Sequence, residues 1–290
     1  MADHNNRFSS RLTFLLSALG IAVGTGNIWR FPRIVASNAG EEGAGAFLVA
    51  WITFLFLWSI PLIIVEYIMG RQSRMGTIGA FANFMGKPFA FLGGFVGFVS
   101  TAIAFFYSVI VGWNIYYFGI ITFTDLPQTN QASLMLWSSF QDSLFPILFH
   151  GVAMTVGGLA IYKGVSSIEK VNKVLIPVLL GIVMLSVLRA ISLPGSFEGI
   201  SYLFTPDWSQ LKRPGIWVDA LAQNAFDTGA GFGLFLTYAI YIKKRYGVVK
   251  NAFTTAIGNN LVSMLAAIMI FSTVFSILGN EMGMQQSEIL

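Results

Sequence analysis

The 290-residue sequence predicts an all-α polytopic membrane protein, and three observations carry that prediction. Hydrophobic residues make up 55% of the chain and charged residues 10%, for a mean hydropathy of +0.71. Several apolar runs reach the roughly 20 residues that a helix needs to cross a bilayer. The cations collect in alternate connections between those runs, as spanning topologies require. A water-soluble domain of this size would carry far more charge on its outside.

The same composition excludes other classes. Cysteine is absent, which removes disulfides and thiolate metal sites. Two histidines, His4 and His150, are too few for a histidine metal cluster. The net charge of +4 does not point to nucleic acid, because the basic residues sit in short loops between spans. The first apolar run is too long for a cleaved signal peptide and precedes no soluble domain, so Leu12–Ala36 reads as a permanent span.

Seven spans are expected, at residues 12–36, 45–70, 88–123, 145–162, 171–191, 215–242 and 251–279. The connections are 71–87, 124–144, 163–170, 192–214 and 243–250, with a tail from Gly279. An N-terminus on the cytoplasmic side places Arg7, Arg11, Arg71, Arg74, Lys87, Lys163, Lys170, Lys173, Lys243, Lys244, Arg245 and Lys250 inside. Arg30, Arg33, Arg189, Lys212 and Arg213 remain outside, and that bias sets the orientation.

Span one holds the least membrane-like stretch of the chain, Gly20 to Pro32. Three glycines, Asn27, Arg30 and Pro32 are poor choices for a plain anchor. Broken backbone at membrane depth is tolerated only against protein or a polar cavity, and ionisable side chains there are functional candidates. Between spans two and three, Gly76, Gly79 and Gly86 with Phe81, Phe84 and Met85 suggest an interfacial amphipathic piece, read as a lipid-contacting linker. Span three exceeds the bilayer thickness and should tilt or protrude. The 124–144 connection carries only Asp125 and Asp142 as charges, and His150 near the start of span four reads as interfacial. Leu193-Pro194-Gly195 ends span five, and Thr205-Pro206-Asp207-Trp208 and Arg213-Pro214 mark turns or helix starts.

Span six repeats the peculiarity of span one with Phe226-Asp227-Thr228-Gly229-Ala230-Gly231-Phe232-Gly233. A lone Gly20–Gly24 pair also fits small-residue helix packing. A second glycine-interrupted span carrying an intramembrane aspartate turns the reading toward binding, and such pairs in corresponding positions are the pointer to an inverted-repeat transporter.

At these residues the chain resembles a known family. Gly20-Ile21-Ala22-Val23-Gly24-Thr25-Gly26-Asn27-Ile28-Trp29-Arg30-Phe31-Pro32, with Asn38-Ala39-Gly40 and Gly45-Ala46-Phe47, looks like the first helix of neurotransmitter:sodium symporters of the bacterial leucine-transporter type. Pro61-Leu62, Glu66-Tyr67 and Met69-Gly70-Arg71 resemble the second helix, Tyr107 and Trp113 the third, Gln223–Gly233 the sixth and Asn259 the seventh. The resemblance covers helices one to seven. It implies one transmembrane domain over 1–290 that is incomplete after helix seven, with a first five-helix repeat at 12–191 and the start of its inverted partner at 215–279.

The resemblance also implies a site. An amino acid's carboxylate would sit against Gly24 and Gly26, where free N–H groups and the positive end of the outer half-helix favour an anion. Tyr107 would donate its hydroxyl to that carboxylate, and carbonyls freed in span six would take the ammonium. Monoamine-carrying relatives place an aspartate where this chain has Gly24, which argues for a substrate with its own carboxylate. Ile103, Thr25, Gly229, Phe226 and Phe232 would line or lid the side-chain pocket, with Ala22 and Thr228 completing the set. Phenylalanines at such positions also fit plain aromatic packing.

One sodium would be held by the carbonyl of Ala22, the side chains of Asn27, Asn259 and Asp227, and the substrate carboxylate. A second would take the carbonyls of Gly20 and Val23, with its remaining ligands on the family's eighth helix. Asp227 stands where the best-known members carry a hydroxyl. With Ser263 one turn beyond Asn259 and Trp51 in place of the chloride-site tyrosine, no chloride is expected, and Asp227 supplies the fixed negative charge. At an effective dielectric of ~20, charges ~4 Å apart attract by about 4 kcal/mol. Capping the half-helix after the break is the structural alternative for Asp227. Arg30 would gate the outer side with Phe232 and Tyr107, Gln223 and Ser263 would support the site, and Glu66 would brace the unwound backbone. Arg7 and Phe8 stand where the family's inner gate has Arg then Trp.

The expected function is therefore sodium-coupled symport of a neutral amino acid across the cell membrane by alternating access. The partners implied are the amino acid and the bilayer, and no oligomeric state is implied. The competing expectation is a truncated, non-transporting fragment that at most binds ligand, for which uptake by seven helices alone would not be seen. An enzyme is not expected, because no nucleophile–histidine–carboxylate constellation or metal motif is present.

Overall fold

The computed structural model describes residues 7–127, 129–243 and 245–278, so His4, Lys244 and the tail from Gly279 lie outside the described residues. Its helices are α1 (Arg11–Ala22), α2 (Phe31–Ser37), α3 (Gly45–Phe54), α4 (Ile60–Ser73), α5 (Thr77–Met85), α6 (Ala90–Phe123), α7 (Asn130–Gln141), α8 (Phe145–Ile161), α9 (Val165–Ile191), α10 (Ser196–Phe204), α11 (Pro214–Thr228), α12 (Leu234–Ala239) and α13 (Val248–Leu278). Among the described residues no sheet forms, and one bridge pairs Ala44 with Pro206. The all-helical class expected from composition is the class found.

Among the described residues, four continuous stretches, Gly45–Ser73, Lys87–Phe123, Val165–Ile191 and Val248–Leu278, are long and apolar enough to cross a bilayer. Two bent pairs reach the same standard: α1 with Gly26–Ser37, at 58°, and α7 with α8, at 71°. The sixth expected span is divided between α11 and α12, and its buried Gln223, Asn224 and Asp227 make it less apolar than the rest. The α6 helix lies at the margin of the bundle. Phe91, Phe95, Phe98, Phe105 and Phe118 point away from the protein, as a lipid-facing surface would.

Local chemistry sets the ends of these helices. Ser10 accepts the Thr13 N–H at 3.1 Å while Thr13 Oγ1 accepts the Ser10 N–H at 3.2 Å, a reciprocal cap that starts α1. Pro32 and Pro61 follow closely on the π-helical turns Gly26–Arg30 and Leu55–Ser59, where the regular ladder is already interrupted and a missing N–H is tolerated. Two of the expected connections are more structured than their composition suggests. Residues 124–144 contain α7, capped by Thr129 and held by Phe140, which is fully buried and stacked on Tyr116 at 4.2 Å. The fifth span begins at Val165, within the expected 163–170 connection, because a helix does not stop at its charged turn; Gly164, at φ 63°, sets the start. The expected amphipathic piece is α5, which exposes Ile78, Phe84 and Met85.

Two large apolar clusters, with a small third at Met69, Ala80 and Leu236, make the core among the described residues. Phe8, Phe14, Tyr67 and Phe235 fill one, around α1, α4, α12 and α13. Phe31, Phe47, Trp51 and Phe271 fill the other, around α2, α3, α11 and the far half of α13. Near the first cluster, Arg74 donates to the carbonyls of Ile240 and Ile242, Arg71 to Tyr246, and Lys243 to Ser9, so these four basic contacts gather at one end of the bundle. At the other end, Asp207 accepts the hydroxyl (2.6 Å) and N–H (3.0 Å) of Ser209. The hydroxyl bond, above all, holds its carboxyl below the usual carboxylate range.

Gly70 is the close approach that matters for the site. A Cβ there would run into the carbonyl of Leu236, so α4 and α12 can touch only with glycine at this point. Gly70→Ala is expected to cost about 1–3 kcal/mol, the usual penalty for overpacking. It should lower the thermal unfolding midpoint in detergent, and an unchanged midpoint would refute the close-approach argument.

Candidate functional site

The first helix ends at Ala22 and resumes as a π-helical turn at Gly26–Arg30. Such turns interrupt the regular ladder and concentrate at functional sites. Thr25 and Gly26 open the outer half, where first-turn N–H groups have no intrahelical partner. Asn27 closes the break on itself: its Oδ1 accepts the Gly24 N–H at 2.8 Å. The sixth span breaks at Gly229, Gly231 and Gly233, all at positive φ (67°, 95° and 71°), a conformation that other residues rarely adopt. Glu66 on α4 spans this turn, accepting the N–H of Gly231 at 2.6 Å and of Leu236 at 3.0 Å.

Between the two breaks lies a buried polar cluster. Asn27 donates from Nδ2 to Asn259 Oδ1 and to Ser263 Oγ, both at 2.8 Å. Ser263 donates to Asp227 Oδ2 at 3.3 Å, and Gln223 Nε2 reaches both Asp227 Oδ2 (3.4 Å) and the Gly26 carbonyl (3.2 Å). Asn27, Gln223, Asn259 and Ser263 are fully buried, and Asp227 is 2% exposed. Asp227 Oδ1 is buried without a hydrogen-bond partner. Buried polar atoms are almost always partnered, so an orphaned carboxylate oxygen among amide and hydroxyl oxygens fits a small hard cation.

Beside the cluster is a cavity of about 400 Å³. It is lined by Gly20, Ile21, Ala22, Val23, Gly24 and Gly26 from span one, Ile103, Phe106 and Tyr107 from α6, and Phe226, Asp227, Gly229, Phe232 and Leu234 from span six. Of the expected substrate set, Ala22, Gly24, Gly26, Ile103, Tyr107, Phe226, Gly229 and Phe232 are therefore together. Thr25 and Thr228 are not on the wall. Thr25 stands behind Tyr107, donating to its phenol oxygen at 3.3 Å, and Thr228 turns away to donate to the Asn224 carbonyl at 2.6 Å.

Other expected positions also differ in detail. The Gly24 N–H implied for a carboxylate is donated to Asn27 Oδ1, because the break must satisfy its own backbone first, and the second lone pair of that oxygen is left for a cation. Arg30 stacks over Phe226, 4.7 Å from the ring centre, and donates to Gln223 Oε1. The expected gate placed it with Phe232 and Tyr107. His150 is packed inward, with Nε2 2.9 Å from Ser108 on α6. Phe8 is buried between Phe14 (5.3 Å) and Tyr238 (5.9 Å).

Ile21, Phe106 and Leu234 line the cavity but were absent from the expected set. Phe106 follows Ile103 by three residues and precedes Tyr107, so helical spacing alone places it near the same face. Asn224 was also missed. It donates to the Trp51 carbonyl at 2.8 Å and anchors the sixth span to α3, and a buried amide in an apolar span is the signal that could have found it.

The pattern of the "Sodium:neurotransmitter symporter family" matches residues 5–141 and 138–289. The solved structure "Crystal structure of MhsT in complex with L-phenylalanine" matches with a TM-score of 0.81 and 32% identity, over 95% of this chain and 62% of that one. An uncharacterized sodium-dependent transporter of Methanocaldococcus jannaschii is 33% identical over 92% of this chain and 55% of its own length. The uncharacterized sodium-dependent transporter YhdH of Bacillus subtilis is 31% identical over 93% and 60%. The sodium-dependent neutral amino acid transporter B(0)AT3 of Rattus norvegicus is 30% identical over 96% and 48%. The chain thus spans between about half and two thirds of the length of these relatives.

Proposed function

This chain belongs to the sodium:neurotransmitter symporter family, and on that premise we propose that it binds sodium and a neutral amino acid side by side and carries them together across the cell membrane by alternating access, without chloride. The observation that carries the reading is the apolar cavity sharing a wall, Asp227, with the buried oxygen cluster.

The amino acid's carboxylate lies at the start of the outer half-helix, near the N–H groups of Thr25 and Gly26. Tyr107 accepts from Thr25, which leaves its own phenol proton free for that carboxylate. The carbonyls of the span-six turn take the ammonium. Ile21, Ile103, Phe106, Phe226, Phe232 and Leu234 surround the side chain, which favours a large apolar one. The similar chain MhsT was solved with L-phenylalanine, and B(0)AT3 is named for neutral amino acids, which supports the class. Asp227, Asn27, Asn259 and the Ala22 carbonyl hold the sodium, with Ser263 supporting Asp227, and Gly20 and Val23, also on the wall, offer carbonyls to a second. Asp227 supplies the negative charge that chloride would otherwise bring. The division into repeats at 12–191 and 215–279, with the N-terminus cytoplasmic, belongs to the same reading.

The test is thermal unfolding of the purified chain in detergent. L-Leucine or L-phenylalanine at about 100 times its dissociation constant adds about 2.7 kcal/mol, roughly 5 °C for a chain of this size. The shift is expected in sodium chloride and sodium gluconate alike and absent in potassium salts. Equal shifts in potassium, or none with any neutral amino acid, would overturn the reading.

A further inference from the structure

The turn in span six is gripped from two sides. Glu66 on α4 takes its N–H groups, at Gly231 and Leu236. From the opposite side, Ser100 on α6 donates its hydroxyl to the carbonyl of Phe232, a residue of the cavity wall. That carbonyl needs an outside donor. In an unbroken helix it would accept the N–H of residue 236, but the Leu236 N–H is committed to Glu66. Gly233 then tucks beneath α6, where a Cβ would stand 2.7 Å from Val96 and equally close to Thr77.

A helical serine commonly returns its hydroxyl to the carbonyl four residues back. Here that carbonyl, of Val96, lies 2.9 Å away, and the Phe232 carbonyl on the sixth span is the second acceptor within reach of the same hydroxyl. Ser100, Ile103 and Tyr107 follow one another on one face of α6, at steps of three and four. The same helix face therefore carries two residues of the cavity wall and the tether of the ring opposite them.

We propose that Ser100 is a positioning residue: its hydroxyl fixes the Phe232 carbonyl, and with it the height of the Phe232 ring over the cavity, which sets the preference for large apolar side chains. The selectivity half rests on the amino-acid reading above, whereas the tether itself does not. The experiment separates the two. In hydrogen–deuterium exchange of the purified chain without ligand, Ser100→Ala is expected to speed exchange of segment 229–237 about 3–10-fold, the range one hydroxyl–carbonyl bond supports. Ser100→Thr, which keeps the hydroxyl, should restore the wild-type rate, and exchange in α9 should not move. Unchanged exchange in Ser100→Ala means that Ser100 serves only Val96, and overturns the tether whatever binds.

In sodium, Ser100→Ala should also weaken L-phenylalanine about fivefold relative to L-alanine, with sodium affinity unchanged. A wild-type chain that binds with an unaltered ratio in the variant overturns the selectivity claim while the functional reading stands. A wild-type chain that binds neither amino acid removes the functional reading and the selectivity claim with it, and the exchange result still decides the tether.

Discussion

Asp227→Ser is expected to lower sodium affinity about a thousandfold in chloride-free buffer and to make the remaining binding respond to chloride. The carboxylate is 2% exposed, Oδ1 is buried without a hydrogen-bond partner, and Oδ2 accepts from the neutral side chains of Ser263 and Gln223. A buried charge left in that state is costly, so the carboxylate either takes up a proton or is matched by a cation beside it, and sodium supplies that cation in the bound state. At an effective dielectric of ~20 a cation ~4 Å away gains about 4 kcal/mol, or about three powers of ten. Serine keeps an oxygen for coordination and removes the charge. Chloride can then neutralise the bound sodium only by binding nearby. The measurement is sodium-dependent thermal stabilisation, titrated in gluconate and again in chloride. Wild-type sodium affinity in gluconate for the Asp227→Ser variant would sink both the charge argument and the assignment of Asp227 to the cation.

Much of this arrangement was legible before any coordinates, and the reason is local. Helix breaks need residues that tolerate positive φ or broken ladders, so Gly24–Gly26 and Gly229–Gly233 announce themselves in otherwise apolar runs. A lone carboxylate at membrane depth does the same for Asp227. Long apolar runs located the spans to within a few residues. What stayed hidden was of two kinds. The Thr228 hydroxyl returning to the Asn224 carbonyl and the Asn27 oxygen closing on Gly24 are bonds over only four and three residues, which compete locally with any role in a site. Arg30 over Phe226 and Ser100 under Phe232 are contacts between helices far apart in the chain, and a periodic reading of one helix cannot choose its neighbour. The α7 helix escaped for a different reason. It is held by aromatic stacking on Tyr116 and Tyr117, so its own sequence needs no long apolar run.

Glu66→Ala should be strongly destabilising although the residue stands off the cavity wall. Glu66 is 6% exposed, and both of its oxygens are used: Oε1 by Gly231 and Oε2 by Leu236. Those N–H groups exist as open donors only because span six is broken between α11 and α12. Alanine would leave both buried without an acceptor, at about 1–3 kcal/mol each. Part of that loss is offset because the alanine variant no longer buries a carboxylate, which puts the net at about 2–4 kcal/mol and the fall in unfolding midpoint at roughly 5–10 °C. Glu66→Gln discriminates between a packing role and an acceptor role. It preserves the shape, keeps one acceptor, and sets an amide NH2 against the other backbone N–H, so its loss should fall between wild type and alanine. Exchange of segment 229–237 should rise in the same order, alanine above glutamine above wild type. If glutamine behaves as wild type, the second acceptor is not needed, and the turn must be held by Ser100 and by its close contact with α4 at Gly70 instead.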